Sequence, residues 1–430
     1  MSKPTKPAAA TRDLDTARRA ARVELEQGRW ASARTMWQDF AGRVPHDAEA
    51  ARAIAALLHQ LGRAAEGKAH AREFFRRYPL QRQSAAVAPS RGAICAVEGC
   101  DGSTWMIGQN PDGTAMVKAR GARFLTTYLL DWSTYDRNTW TLVDETSFTR
   151  SPLQGSHIVL NRISDVDLEG DALRRLDAFL AQHPNVPVIN RPRGVMDTTR
   201  DANHRRLGDI ADVVFPRTER LDRDASGDEG LVAQLRALDL TWPVILRATG
   251  TQTGRTVGLV ENMDDALDWF RAQQASASFY AIEFFDHRID GKWFNKKRVF
   301  FIDGRMYPVV SHVDDIWNVH GSNRMTVMKS TPWMMEQEAR FVQDAEGVLG
   351  PRATAALKEI ARRTELEFFG MDFTVLDDGR VLVYELNPSM RHSFDHGKNF
   401  PYLLPSLHRI SDAFRDMVDD RIARARRTKR

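Results

Sequence analysis

Residues 368–391 read FFGMDFTVLDDGRVLVYELNPSMR. Asp378-Gly379 is a dipeptide strongly favoured by tight hairpin turns, and β-forming residues flank it on both sides. With those two residues as the loop, Asp372 stands opposite Glu385. Side chains alternate along a strand, so Asn387 shares the face of Glu385 and hence of Asp372. The other face pairs Met371 with Leu386, Phe373 with Tyr384 and Val375 with Leu382, as a core face would. Two carboxylates facing each other repel, and burying them costs several kcal/mol unless a cation offsets the charge. A hard divalent ion with oxygen ligands, Mg²⁺ holding nucleotide phosphates above all, supplies that charge. A solvated pair at a strand end, or a hairpin slipped by one residue, gives no such site.

An Asp on one strand followed by Glu-x-Asn on the next resembles the metal-binding end of the ATP-grasp superfamily. The pieces here are Gly370-Met371-Asp372 and Tyr384-Glu385-Leu386-Asn387-Pro388. The resemblance implies ATP and Mg²⁺ as cofactors, with Asp372, Glu385 and Asn387 holding the ions that bridge the ATP phosphates. Just beyond, Ser389-Met390-Arg391 resembles the substrate-proximal turn of that superfamily, where Arg391 could hold a carboxylate.

On the amino-terminal side of the hairpin, two helices are expected near 334–347 and 351–366, the second opened by Pro351 at its favoured first-turn position. Before them, WFNKKRVFFIDGRMYPVVSH (293–312) reads as a second hairpin about Asp303-Gly304. It is similar to a branch of ATP-grasp proteins that includes the ribosomal-protein glutamate ligases. That likeness implies Arg298 as the group stabilising an acyl phosphate and its leaving group, and a guanidinium fork suits phosphate and carboxylate geometry. Lys296 and Lys297 lie nearby, at least one of them expected to face water. His312 and His320 could act as acid–base groups, although a lone His is more often structural. DDIWNVHGSNRMTVMKS (314–330) reads as a loop over the cleft.

Further back, FYAIEFFD (279–286) is a buried strand ending in acids. The resemblance makes Glu283, and with less force Asp286, the partner of the nucleotide ribose. In WPVILRATGTQTGRTVGLV (242–260), two apolar strands flank a Gly/Thr-rich loop. Glycine lets the backbone approach a phosphate closely, so N–H groups and hydroxyls can cradle the anion. No Gly-Lys-Ser/Thr opens a helix, so the Walker pattern is absent. The loop resembles the mobile ATP-grasp phosphate loop, with Thr249, Gly250, Thr251, Thr253 and Gly254 as contacts. Its base usually carries a lysine; Arg247 stands there, and arginine makes the same contact bidentately.

Residues 92–190 alternate strands with helices, as a largely parallel α/β sheet does. They resemble the small domain preceding the nucleotide fold in ATP-grasp ligases, and 191–420 would be the two-lobed ATP-grasp domain. Asn161 and Asn190 end strands, where either substrate contact or turn formation fits. RPRGVMDTTRDANHRRLGDIADVVFP (191–216) leads into the nucleotide fold, with His204, Arg205 and Arg206 read as a solvated helix face. QRQSAAVAPSRG (81–92) reads as a linker. Residues 13–79, within an arm bounded at 11–80, read as helix throughout and repeat, since Gly28 recurs as Gly62 and Pro45 as Pro79, both 34 residues on. That period resembles the tetratricopeptide repeat. Two repeats are too few for a free-standing stack, so the arm is expected to pack on the next domain, a second subunit or a partner.

The expected architecture is therefore a mixed α+β and α/β multidomain chain: helical repeat arm, small α/β domain, two-lobed ATP-grasp domain. At 430 residues the chain has room for two or three cores. The net charge of +4 is modest, with a basic cluster at the carboxyl end that suits a solvated helix better than nucleic acid. No apolar run is long enough for a membrane span or a secretory signal. Cys95 and Cys100 lack zinc-site spacing, and a cytoplasmic location is expected. The implied reaction is carboxylate–amine ligation through an acyl phosphate, on small-molecule or peptide substrates. A kinase using the same nucleotide apparatus, or an ATP-sensing scaffold, is the alternative.

Overall fold

Strands Phe368–Val375 and Val381–Asn387 form the expected hairpin, but with a different turn. The computed structural model describes residues 9–428 apart from 111, 122, 149–151 and 252–255. In it the Leu376 N–H donates to the Arg380 carbonyl at 2.8 Å, so Asp377, Asp378 and Gly379 make a three-residue loop. Gly379 has φ 83°, a left-handed conformation that side chains resist. A β-bulge then adds Tyr384 as an unpaired extra residue and brings Asp372 back opposite Glu385. The acids thus face each other as expected, while the core face is corrected. Phe373 pairs with Val383 rather than Tyr384, and Val375 with Val381 rather than Leu382. Val381, Val383 and Leu386 are buried in the core. Leu382, Tyr384 and Glu385 line the cleft instead.

These strands belong to a five-stranded sheet with the order Arg305–Asp314, Phe294–Ile302, Phe368–Val375, Val381–Asn387, Val213–Val214. Asp303 and Gly304, at φ 48° and 73°, make the tight turn of its second hairpin. Helices Pro332–Gln343 and Ala345–Thr364 follow; the second is broken at Gly350 and restarts at Pro351. A four-stranded antiparallel sheet, ordered Val257–Val260, Val244–Ala248, Ser278–Glu283, Thr218–Asp222, has its own small core around Leu246, Phe270 and Phe279. The cleft lies where these two sheets meet, since residues of both line it.

A third sheet runs Leu80–Gln83, Asp136–Leu142, Ala93–Gly99, Ile158–Asn161, Val188–Ile189, parallel except for its first strand. The linker expected over 81–92 is corrected at its start, because Leu80–Gln83 is an edge strand. Edge strands need little apolar character, so a polar Gln-Arg-Gln gave no strand signal. This sheet shares one continuous core with the hairpin sheet and the long helix Leu404–Thr428. Phe124 stacks on Phe368 at 4.7 Å, and Phe414 meets Phe368 edge-on at 5.2 Å.

Helices Ala9–Glu26, Trp30–Arg43, Ala48–Gln60 and Ala64–Arg77 form the amino-terminal arm. Gly28 and Gly62 occupy left-handed positions at the matching turns. Of the three coverings considered for the arm, one is found: the hairpin Ser103–Gln109/Ala115–Gly121 packs Ile107, Ala115 and Val117 into the arm's core. Among the described residues no helix is long and apolar enough to cross a membrane.

Candidate active site

Asp372 is almost fully buried, 3% exposed. Its cross-strand neighbour is Arg298, which donates Nε to Oδ1 at 2.7 Å and Nη2 to Oδ2 at 2.8 Å. Lys296 Nζ lies 3.7 Å from the same carboxylate. Burial alone would push the Asp372 carboxyl up, but Arg298 and Lys296 outweigh it and hold it below the usual range. Glu385 is treated alike: burial pushes it up, and Arg200 with Arg247 brings it down. Arg200 Nη2 is 3.0 Å from Glu385 Oε1, and the Asn387 amide donates to that same oxygen at 3.2 Å. The Asn387 carbonyl oxygen accepts from the Ser389 backbone N–H at 2.8 Å.

Arg247 donates to the Thr251 carbonyl at 2.6 Å. Burial, with Arg200 beside it, pulls its guanidinium down to about 10. Arg200, Arg247 and Glu385 stand at the junction of two adjoining cavities, of about 240 and 80 Å³. The larger is walled by Glu283, Phe284, His287, Trp317, Lys296 and Tyr384, with Asp372 and Arg298 in its floor. The smaller holds Thr249, Gly250, Thr251 and Asn387, with Ser164 and Asp167 from the parallel-sheet region opposite them. Thr253 and Gly254 lie outside the described residues.

Two expected site residues are not brought into either cavity. Asp286 lines a neighbouring groove, 3.3 Å from Arg288. Arg391 is exposed and pairs with Asp395 at 2.6 Å. The expectation that Lys296 or Lys297 merely faces water is corrected too. Lys296 reaches Asp372, and Lys297 is buried, donating to the Asn295 side-chain oxygen. His312 is buried with neither ring nitrogen hydrogen-bonded, edge-on to His396 at 5.6 Å, while His320 lines the larger cavity. His204 is not simply solvated, as its Nδ1 lies 3.0 Å from the Phe215 carbonyl. Asn190 serves the backbone, exchanging two hydrogen bonds with Phe368 at 2.7 and 2.9 Å.

Arg200 was missed in the sequence. It sits in a run with Arg205 and Arg206, and nothing in composition separates the three. The available signal was Thr199, whose hydroxyl caps helix Arg200–Leu207 and fixes Arg200 at its first turn. Tyr384 and His287, joined through the phenol and an imidazole nitrogen, were hidden by the bulge.

Asp372, Glu385 and Asn387 are all oxygen donors, the chemistry that magnesium prefers, so the set fits that ion. Both carboxylates are engaged by arginines, and an incoming cation would exchange with Arg298 and Arg200. Among the described residues no three His, Cys, Asp or Glu side chains gather as a metal group.

No family model matches the chain, and no curated protein does. Among solved structures, D-alanine–D-alanine ligase from Bacillus anthracis is similar at 13% identity and a TM-score of 0.41, over 76% of this chain and 99% of that one. The ADP complex of purK, an N5-carboxyaminoimidazole ribonucleotide synthetase, is similar at 12% identity and 0.43, over 74% of each chain. A RimK domain ATP-grasp protein from Sphaerobacter thermophilus is similar at 16% and 0.36, over 65% and 90%.

Proposed function

We propose that the chain is an ATP-dependent carboxylate–amine ligase of the ATP-grasp type. A carboxylate oxygen of the acid attacks the γ-phosphorus of ATP and ADP leaves, giving an acyl phosphate. The amine then attacks the acyl carbon, phosphate leaves and the amine gives up a proton. The reading is carried by one juxtaposition: two facing acids, Asp372 and Glu385, in a cleft that also holds Arg200, Arg247, Lys296 and Arg298. Four cations exceed the three carboxylates of the cleft, Asp372, Glu385 and Glu283, and the surplus suits a polyphosphate.

When bound on Asp372, Glu385 and Asn387, magnesium supplies charge neutralisation at the phosphate oxygens. Arg247 and Arg200 bind phosphate oxygens from the loop side, while Glu283 takes the ribose. Arg298, released from Asp372, steadies the charge on the transferring group. Exclusion of water from the cleft protects the acyl phosphate from hydrolysis. The acid and amine are small molecules or peptides. We keep the arm as tetratricopeptide-like and the protein as cytoplasmic.

The test is coupled ADP release against a panel of amino acids and peptides, with mass spectrometry of the conjugates. The expected product is an amide plus free phosphate, formed only when both acid and amine are present. A stable phosphoester would make the protein a kinase, and release of AMP would replace the acyl phosphate by an adenylate.

A further inference from the structure

A cavity of about 490 Å³ separates the helical arm from the hairpin that covers it, and it shares no lining residue with the cleft. Its walls are mixed: Leu25, Trp37 and Ala53 from the arm and Trp105, Met116 and Val117 from the hairpin make an apolar flank, and Arg22, Glu26, Glu49 and Asn110 line the rest. Into it faces Arg52, whose guanidinium lies 5.1 Å from the Trp105 ring centre and 5.6 Å from that of Phe75. Those rings are its contacts; among the described residues it has no hydrogen bond or ion pair, and its buried Nε lacks an acceptor. Trp37, 1% exposed, lines the same cavity, and its indole N–H is likewise buried without an acceptor.

The neighbouring acids do not remedy this. Glu98 is paired with Arg123 at 2.8 Å and with Arg162, and its pull on Arg52 does not offset the cost of burying that guanidinium. Glu49 is held by Arg22 at 2.5 Å, and Glu26 is exposed at the rim. Aromatic faces offset part of the cost of burying a guanidinium, but they accept none of its five N–H donors. Two orphan donors beside the apolar flank of one cavity of ligand size call for an acceptor carried on an apolar body.

We propose that this cavity is a second ligand site, binding a small apolar monocarboxylate. Its carboxylate meets Arg52 and the Trp37 N–H, and its body lies against Trp105, Met116 and Val117. A single unpaired guanidinium and the two acids Glu26 and Glu49 in the lining favour one negative charge over a phosphate.

The test titrates the full-length protein with phenylacetate and with the neutral phenylacetamide, by calorimetry and tryptophan fluorescence. Phenylacetate is expected to bind saturably with one site per chain, at least tenfold tighter than the amide. Arg52→Met should weaken it at least tenfold and Trp37→Phe several-fold, with ADP release in the cleft unchanged. Thermal melts check that each variant folds, and Arg52→Lys, which keeps the charge but loses the fork, should bind with intermediate affinity. No binding by the folded parent at millimolar phenylacetate, equal affinity for the amide, or binding that survives Arg52→Met would each overturn the proposal. So would displacement of phenylacetate by ATP, which would assign the binding to the cleft.

Discussion

Asp372 and Arg298 face each other across adjacent strands, and each makes the other's burial tolerable. Asp372→Asn should therefore have two separable effects. It leaves the Arg298 guanidinium without its countercharge and with one acceptor oxygen instead of two, costing roughly 1–3 kcal/mol of stability in urea unfolding. It also removes a metal ligand and should cut ADP release at least about 100-fold. Asp372→Asn with Arg298→Met should regain much of the stability and none of the activity; recovery of activity would remove Asp372 from the ion site. Lys297 gives a pH prediction. Burial without a carboxylate partner brings it down to about 8 from 10.5. Between those pH values the unfolded chain holds more protons than the folded one, so this residue makes stability rise with pH. Below pH 8 its burial is a standing cost, so Lys297→Met should stabilise the fold near neutrality by about 1–3 kcal/mol and flatten the rise above pH 8. At this scale the sequence was legible where a residue sat in a patterned strand, as Arg298 and Glu385 do. It was opaque for Arg200 and Lys297, whose roles depend on what folds against them.

The metal hairpin shows how an element can be right in placement and wrong in detail. Its strands, its turn region and the facing acids were readable from alternation and from Asp-Gly. The three-residue loop and the bulge were not, because Asp377-Asp378-Gly379 and Asp378-Gly379 are both good loops and packing chooses between them. Gly379→Ala tests the turn: at φ 83° it should cost about 1 kcal/mol, seen as a lower urea midpoint. ADP release should be unchanged, since the bulge lies between the turn and the acids. The strand Ser103–Gln109 was missed altogether. Its Ser-Thr-Trp-Met-Ile-Gly-Gln alternates weakly, and its reason for being a strand is the arm beneath it.

Taken whole, the molecule is held by a seam that no local pattern announced. The helix Leu404–Thr428 lies between the parallel sheet and the hairpin sheet. Tyr135 donates its hydroxyl to Asp419 at 2.8 Å from one side, and Arg421 reaches Asp303 at 2.6 Å on the other. Phe414 fills the centre, touching both Phe124 and Phe368. Phe414→Ala should cost about 3–5 kcal/mol and split a single thermal transition into two, as measured by calorimetry. A lone, unshifted transition would mean that the two sheets do not depend on this helix. Sequence periodicity shows that a helix has an apolar stripe; it does not say which two surfaces the stripe joins.

Tyr384 is surplus to the ladder, a residue inserted without displacing the pairing on either side of it. Excising its single codon should thus leave Asp372 opposite Glu385 while stripping the phenol from the cleft wall. The edit also removes the carbonyl that accepts from Arg200 at 3.2 Å, so the grip of that arginine on Glu385 becomes the thing to watch.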